Sequence, residues 1–192
     1  MNTLATNKKV FYHGTSADNL PSILKHGLSC NENKLWHCSN DDIYLWSVDA
    51  IKDFEQLDSN DEALDYAFRM ANESGQIACI YSKDCRVVVL KIELDESEVS
   101  IDQSCENMEG RGAVCINRDI TIDEIVEIKI STDLSLIKAY FIALMLNNDY
   151  FNTDDLTPIE LKIGKAFAKA EIYPEDVDDM IEWENVEIMQ TA

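Results

Sequence analysis

A histidine followed at once by a glycine, His13-Gly14, is the pair in this sequence whose types and spacing best suit chemistry. The pair ends the apolar and aromatic run 10–12, which is typical of a short β-strand, and Thr15 and Ser16 follow it. A histidine at a strand end can offer one ring nitrogen to a ligand hydroxyl while the backbone fixes the other. Because glycine has no side chain, its N–H and C=O can meet the flat edge of a carboxamide directly. The pair therefore predicts a binding site for a ligand that carries hydroxyl and amide groups.

A short helix behind this pair favours the functional interpretation. Asn19 is a suitable N-cap, Pro21 stands in the first turn, and Gly27 follows the last turn. Four apolar residues share one face at helical spacing: Leu20, Ile23, Leu24 and Leu28. A lone strand histidine is more often satisfied inside the core, so the glycine and the helix are what assign His13 to a site.

The second block with chemical groups is Asp42-Ile43-Tyr44-Leu45-Trp46-Ser47. The ring of Tyr44 could form a flat apolar wall that loses little rotamer freedom on binding. Ser47 could add a hydroxyl contact to the same amide. Tyr44 is alternatively an ordinary strand aromatic, and Trp46 is either a core residue or a second aromatic wall.

Composition excludes several classes of protein. Hydrophobic residues make up 46% and charged residues 28% of the 192 residues, as in a folded globular domain. No apolar run approaches the ~20 residues that cross a bilayer. The first residues lack the basic and apolar regions of a signal peptide. We therefore expect a cytoplasmic protein that makes no membrane contact.

Charge and cysteine content narrow the partners further. The chain carries 37 acidic and 16 basic residues, a net charge of −21, and its densest basic cluster is Lys8-Lys9. General affinity for nucleic acid needs a basic surface, so it is not expected, whereas a basic protein partner is expected.

The six cysteines show no CxxC pair, and His37-Cys38 is the only hint of zinc. Free thiols and no metal are therefore expected.

The order of the elements predicts an α+β fold. The candidate strands are 9–13, 36–39, 43–47, 77–81, 86–94, 113–117 and 125–130. The candidate helices are 20–26, 62–74, 134–146, 158–170 and 175–183. The polar interval 95–112 is long enough to be a functional loop. We expect one domain over residues 1–130 that carries the site, and an acidic helical C-terminal extension over residues 131–192.

Residues 11–16, leading into 19–28, resemble the first conserved block of the ADP-ribosyltransferase superfamily. The likeness is closest to the histidine-tyrosine-glutamate branch, which includes the poly(ADP-ribose) polymerases. RNA 2′-phosphotransferases share a similar His-Gly-Thr phrase. The resemblance covers about residues 9–130 and implies a split β-sheet core that binds NAD⁺ as a substrate. It implies that His13, Gly14 and Thr15 orient NAD⁺, that Tyr44 stacks on the nicotinamide, and that Ser47 contacts its amide.

The family's third element is a glutamate at the front of a late strand, where its carboxylate would steady the cationic transition state. Here the sequence departs from the family, because Arg111-Gly112 precedes the strand 113–117. Glu109 is the nearest upstream candidate for the catalytic carboxylate and Glu106 the next; the third alternative is that the chain has none. Arg111 is a candidate contact for the NAD⁺ pyrophosphate or a solvated loop residue.

The resemblance implies a mono-ADP-ribosyltransferase that moves ADP-ribose from NAD⁺ to a protein or nucleic-acid acceptor, with the acidity favouring protein. Stand-alone chains of this kind resemble toxins and effectors of phage–host conflict, so an antitoxin-like protein is a candidate partner. Two alternatives stay open. One is a non-catalytic binding protein on the same fold, and the other is an RNA 2′-phosphotransferase, a family that relies on several arginines.

Overall fold

In the part of the chain that the structure describes, seven strands pair antiparallel throughout into one sheet, in the order β4-β5-β2-β1-β3-β6-β7. The computed structural model describes residues 8–30, 42–79, 82–102, 111–132, 169 and 181–188. The strands are β1 (Lys8–Ser16), β2 (Ile43–Ser47), β3 (Val87–Asp95), β4 (Ser100–Ile101), β5 (Ala113–Ile116), β6 (Ile125–Ser131) and β7 (Trp183–Asn185). The α-helices are α1 (Leu20–His26), α2 (Val48–Glu55) and α3 (Asn60–Cys79). Short 3₁₀ helices span Ala17–Asn19, Glu96–Glu98 and Ile122–Glu124.

The core lies on both faces of the sheet, because β1 and β3 are central strands. In β3 the consecutive residues Val87, Val88, Val89 and Leu90 are all buried, at 2% exposure or less. Val87 and Val89 pack with α2 and α3 on one face, which we call the helix face. Val88 and Leu90 pack with residues of α1 on the other, which we call the α1 face. A continuous apolar run in the sequence thus corresponds to a strand covered on both sides.

Helix α3 crosses β1 at very short range, and two glycines make the crossing possible. A Cβ on Gly14 would lie 1.7 Å from the backbone oxygen of Ala71 and 2.6 Å from the backbone nitrogen of Gly75. A Cβ on Gly75 would lie 2.6 Å from Cγ1 of Val87. Helix–sheet packing alone therefore requires glycine at position 14, whatever else its backbone does.

Several predicted elements are confirmed. The α+β class is correct, and α1 runs over the predicted residues and ends at Gly27, whose φ is +79°. Strand β2 has the predicted bounds, and β3, β5 and β6 lie within one residue of theirs. Among the described residues, no helix is both long and apolar enough to cross a membrane.

Other predictions are wrong. The expected strand at 77–81 is wrong over its described part, because α3 continues through Gly75 to Cys79. Strand β1 does not end at His13 but continues to Ser16, since it pairs with β3 along its whole length. Trp183 ends no helix but begins β7, which pairs with β6. The sequence also missed α2 and β4. The predicted strand at 36–39 and the predicted helix at 134–146 lie outside the described residues. Of the predicted helix at 158–170, only residue 169 is described. Of the predicted C-terminal extension, only residues 131–132, 169 and 181–188 are described.

Burial of Tyr12 makes the stability of this core sensitive to alkali. Tyr12 is 7% exposed, and burial, followed by the charges of Glu127 and Asp65, raises the pKa of its hydroxyl from 10.0 to about 12. Above pH 10 the unfolded tyrosine ionises while the folded one keeps its proton, so stability falls as pH rises towards 12. Tyr12→Phe should reduce that fall by about 2 kcal/mol, measured by urea unfolding from pH 8 to 11.5. Equal pH slopes in both proteins would contradict this account.

Candidate functional site

The pairing of β1 with β2 stops at Tyr12, one residue before His13. The two strands pair only at Phe11–Ser47 and Tyr12–Trp46, although β1 stays paired with β3 as far as Ser16. Beyond Tyr12 the imidazole Nδ1 of His13 lies 2.8 Å from the carbonyl oxygen of Tyr44. A side chain thus takes the place of the next backbone pair between the strands.

The directions of the backbone groups follow from the ladders on either side. Alternate residues of a strand turn their N–H and C=O towards opposite neighbours. Ala17 donates to Arg86 at 2.9 Å on the β3 side, so Gly14 turns its backbone groups towards β2. The N–H of Ser47 donates to the carbonyl of Gly112 at 2.8 Å on the β5 side, so the backbone groups of Tyr44 turn towards β1. The peptide groups of residues 14 and 44 therefore face the interruption from its two sides.

His13 is held neutral and in one tautomer. The residue is partly buried, and burial lowers its pKa below the usual 6.5, against the raising effect of the hydrogen bond to Tyr44. Because a carbonyl oxygen can only accept, Nδ1 carries the proton and donates it to Tyr44. The lone pair of Nε2 is then available to accept a hydrogen bond from a ligand hydroxyl.

The side chains of His13 and Tyr44 project to opposite faces of the sheet. Phe11 belongs to the core on the α1 face, and His13, two residues further along β1, projects to the same side. Trp46 belongs to the core on the helix face, so Tyr44, two residues before it, projects there. The two side chains thus flank the interruption above and below the plane of the sheet.

Three neighbouring polar groups are engaged in holding these elements. The hydroxyl of Thr15 accepts from the amide of Asn19 at 2.8 Å. The hydroxyl of Ser47 caps α2 by accepting from the N–H of residue 50 at 3.3 Å. The indole N–H of Trp46 donates to Ser74 at 3.1 Å, and the ring is 6% exposed, so Trp46 is the core residue of the two alternatives.

The two described residues immediately before β5, Arg111 and Gly112, carry no carboxylate. Gly112 has a φ of +88°, which favours glycine, and a Cβ there would lie 2.4 Å from Cγ1 of Ile51. Both the backbone conformation and the lack of space therefore disfavour a side chain at this position. Arg111 beside it is exposed. Glu109 and Glu106, the predicted catalytic candidates, lie outside the described residues.

The other three arginines of the chain already contact carboxylates. The ion pairs are Arg69–Asp65 at 3.3 Å, Arg86–Asp84 at 2.6 Å, and Arg118–Glu98 and Arg118–Glu124 at 2.6 and 2.8 Å. These pairs are spread over α3, the start of β3 and the turn before β6, so they form no shared pocket for a phosphate.

One buried carboxylate was missed by the sequence. Asp102, which follows β4, is 6% exposed and is the only acidic side chain classed as buried in the described part of the chain. Its N–H donates to the carbonyl of Ala113 at 3.2 Å, which places it beside the front of β5. The polar interval around it has no periodic pattern, so nothing in the sequence distinguished it from its acidic neighbours.

Within the described ranges, no three His, Cys, Asp or Glu side chains are grouped so that they could hold a metal ion. A groove of about 630 Å³ lies near the far edge of the sheet, between β6 and residues 185–188, and His13 does not line it. No protein-family model and no curated protein matches the chain.

Proposed function

We propose that the protein is an NAD⁺-dependent mono-ADP-ribosyltransferase with an ADP-ribosyltransferase-like α+β fold. In this reaction the bond between the nicotinamide nitrogen and C1′ of the ribose breaks, and nicotinamide leaves with the bonding electron pair. A nucleophile of the acceptor then bonds to C1′ and releases its proton to solvent. The observation that carries the proposal is the replacement of the Gly14–Tyr44 backbone pair by the imidazole of His13.

The interruption offers backbone groups suited to a carboxamide. A primary amide carries a donor and an acceptor at one edge, the same pair that a strand residue presents to its neighbour. If the N–H and C=O of Gly14 bind the nicotinamide amide, the ligand lies close to the plane of the sheet. Walls for a flat ring must then come from side chains that project above and below that plane, as those of Tyr44 and His13 do.

His13 has the protonation state that the proposed role requires. With Nδ1–H committed to Tyr44, Nε2 would accept a hydrogen bond from a ribose hydroxyl and fix the sugar relative to the amide. Holding the nicotinamide ring and the ribose in one relative orientation accelerates bond cleavage, because the entropy cost of that orientation is met when NAD⁺ binds. Arg111 stays the candidate for the pyrophosphate.

The catalytic anion has to come from somewhere other than residue 112. The ribose gains positive charge as the bond to nicotinamide breaks, and a fixed carboxylate nearby lowers that barrier. Because Gly112 cannot carry a side chain without strain, Glu109 remains our first candidate and Glu106 the second. A chain without such an anion would be the non-catalytic binding protein, which makes NAD⁺ turnover the deciding measurement.

The acceptor we favour is a protein side chain, because a net charge of −21 repels nucleic acid. An RNA 2′-phosphotransferase is less well supported, since its phosphate needs several converging arginines. Three of the four arginines here are paired with carboxylates at separate places.

Turnover of NAD⁺ tests the proposal directly. The purified protein should release nicotinamide from NAD⁺ labelled on the adenylate, and label should enter lysate protein in a precipitate resistant to nuclease. Label sensitive to nuclease and resistant to protease would move the acceptor to nucleic acid. If the folded protein leaves NAD⁺ intact with every lysate fraction, the enzyme proposal fails. NAD⁺ binding without turnover, measured by calorimetry, would identify the binding protein.

A further inference from the structure

We infer that the groove between β6 and residues 185–188 docks an extended basic peptide segment of a partner protein. The inference concerns a surface on which His13 plays no part, and it does not depend on the proposed function.

The groove opens where the last segment of the chain leaves the sheet. Strand β7 pairs with residues 129–131, and the N–H of Val186 donates to the carbonyl of Ile128 at 2.9 Å. Beyond Val186 no further pair to β6 is found among the described residues, and a space of about 630 Å³ lies between the two segments. The pairing of β6 with β3 is irregular at this point, because Lys91 pairs with Glu127 and Ile92 with Ile125, so Val126 is skipped in that ladder. An extended segment that entered this space would lie beside Val126, between β6 and residues 185–188.

The described residues that line the groove are apolar or acidic apart from Asn185, and none of them is basic. The apolar lining residues are Ile122, Ile125, Val126, Ile128, Val186 and Ile188. Val126 is 45% exposed, which is unusual for a valine in a sheet. The acidic lining residues are Asp123, Glu127 and Glu187, of which only Glu127 has a described basic partner, Lys129 at 3.6 Å.

This combination specifies the occupant. An extended peptide presents alternate side chains to opposite sides, so one set can contact the apolar floor while the other meets the rim. Three carboxylates at the rim favour lysine and arginine in the second set, and the charge of −21 steers a basic chain towards the surface. A segment alternating small apolar and basic residues therefore fits better than an acidic or a purely apolar one.

The probe is a fluorescein-labelled peptide that alternates valine and lysine, with a valine–glutamate peptide as its counterpart. Binding to the full chain is measured by fluorescence anisotropy at about 0.15 M salt, where the Debye length of about 8 Å screens distant charges. The valine–lysine peptide should bind and the valine–glutamate peptide should not.

Three variants separate docking in the groove from non-specific attraction to an acidic protein. Glu187→Lys and Asp61→Lys change the net charge equally, but Asp61 lies exposed in the first turn of α3 and does not line the groove. Glu187→Lys should weaken binding about tenfold, and Asp61→Lys should weaken it by less than about twofold. Val126→Glu adds a negative charge, so non-specific attraction predicts tighter binding, whereas docking predicts weaker binding. Equal effects of the two lysine variants, or tighter binding by Val126→Glu, would overturn the inference.

Discussion

Replacing His13 with alanine is expected to lower the rate of nicotinamide release by about 100-fold or more. The change removes the nitrogen that would hold the ribose hydroxyl, and it leaves the carbonyl of Tyr44 without the donor that lies 2.8 Å from it. Single-turnover assays with labelled NAD⁺ measure the loss. His26→Ala is the matched control, because His26 is exposed in the last turn of α1 and should retain full activity.

The same substitution also removes a hydrogen bond between β1 and β2, and such a bond contributes about 0.5–1.5 kcal/mol to stability. His13→Gln addresses this, because its amide N–H can reach towards Tyr44 while lacking the imidazole acceptor. We expect His13→Gln to melt close to the parent and still to lose most of its activity. A His13→Gln protein that folds and turns over NAD⁺ at the parent rate would remove His13 from the mechanism.

Replacing Gly14 with alanine is expected to lower the free energy of unfolding by about 4 kcal/mol or more, or to prevent folding. The added methyl would lie 1.7 Å from the backbone oxygen of Ala71, and a backbone group of a long helix cannot move aside cheaply. Because α3 packs along β1, relief would require shifting the whole helix away from the core. Urea denaturation followed by circular dichroism measures the change.

Gly75→Ala is the matched comparison, because it adds the same methyl at the same crossing. Its nearest obstacle is Cγ1 of Val87 at 2.6 Å, a side-chain atom that can be removed by substitution. Alanine also gains about 1 kcal/mol over glycine inside a helix, so the net loss should be only about 1–2 kcal/mol. In a Val87→Ala background the loss at residue 75 should shrink, and the loss at residue 14 should not. Equal losses at both glycines would refute the backbone-contact explanation.

The parts of the fold that the sequence predicted are those encoded locally. Helix α1 has its proline in the first turn and its glycine after the last, and its bounds were correct. Gly75 also follows a helical pattern and so looks like a helix stop, yet α3 continues through it. The glycine is needed there for the close contact between α3 and the strands β1 and β3. A stop signal and a close-packing requirement look alike in a single sequence.

The candidate site also combines features that the sequence predicts locally with features that depend on distant pairing. The residue types at positions 13, 14 and 44 indicated a ligand site, but the bond between His13 and Tyr44 joins residues 31 positions apart. Only the register of β1 and β2 decides that the imidazole takes the place of a backbone pair. The burial of Asp102 likewise depends on pairing between β4 and β5, for which the sequence carried no pattern.

The position of β7 has a consequence for any shortened version of the protein. The N–H of Thr132 donates to the carbonyl of Glu182 at 2.9 Å, and residues 183–185 then pair with β6. The outermost strand on this side of the sheet therefore comes from a part of the sequence about fifty residues beyond β6. Cutting the chain after residue 130 would strip β7 away and leave β6 as a bare edge prone to aggregation.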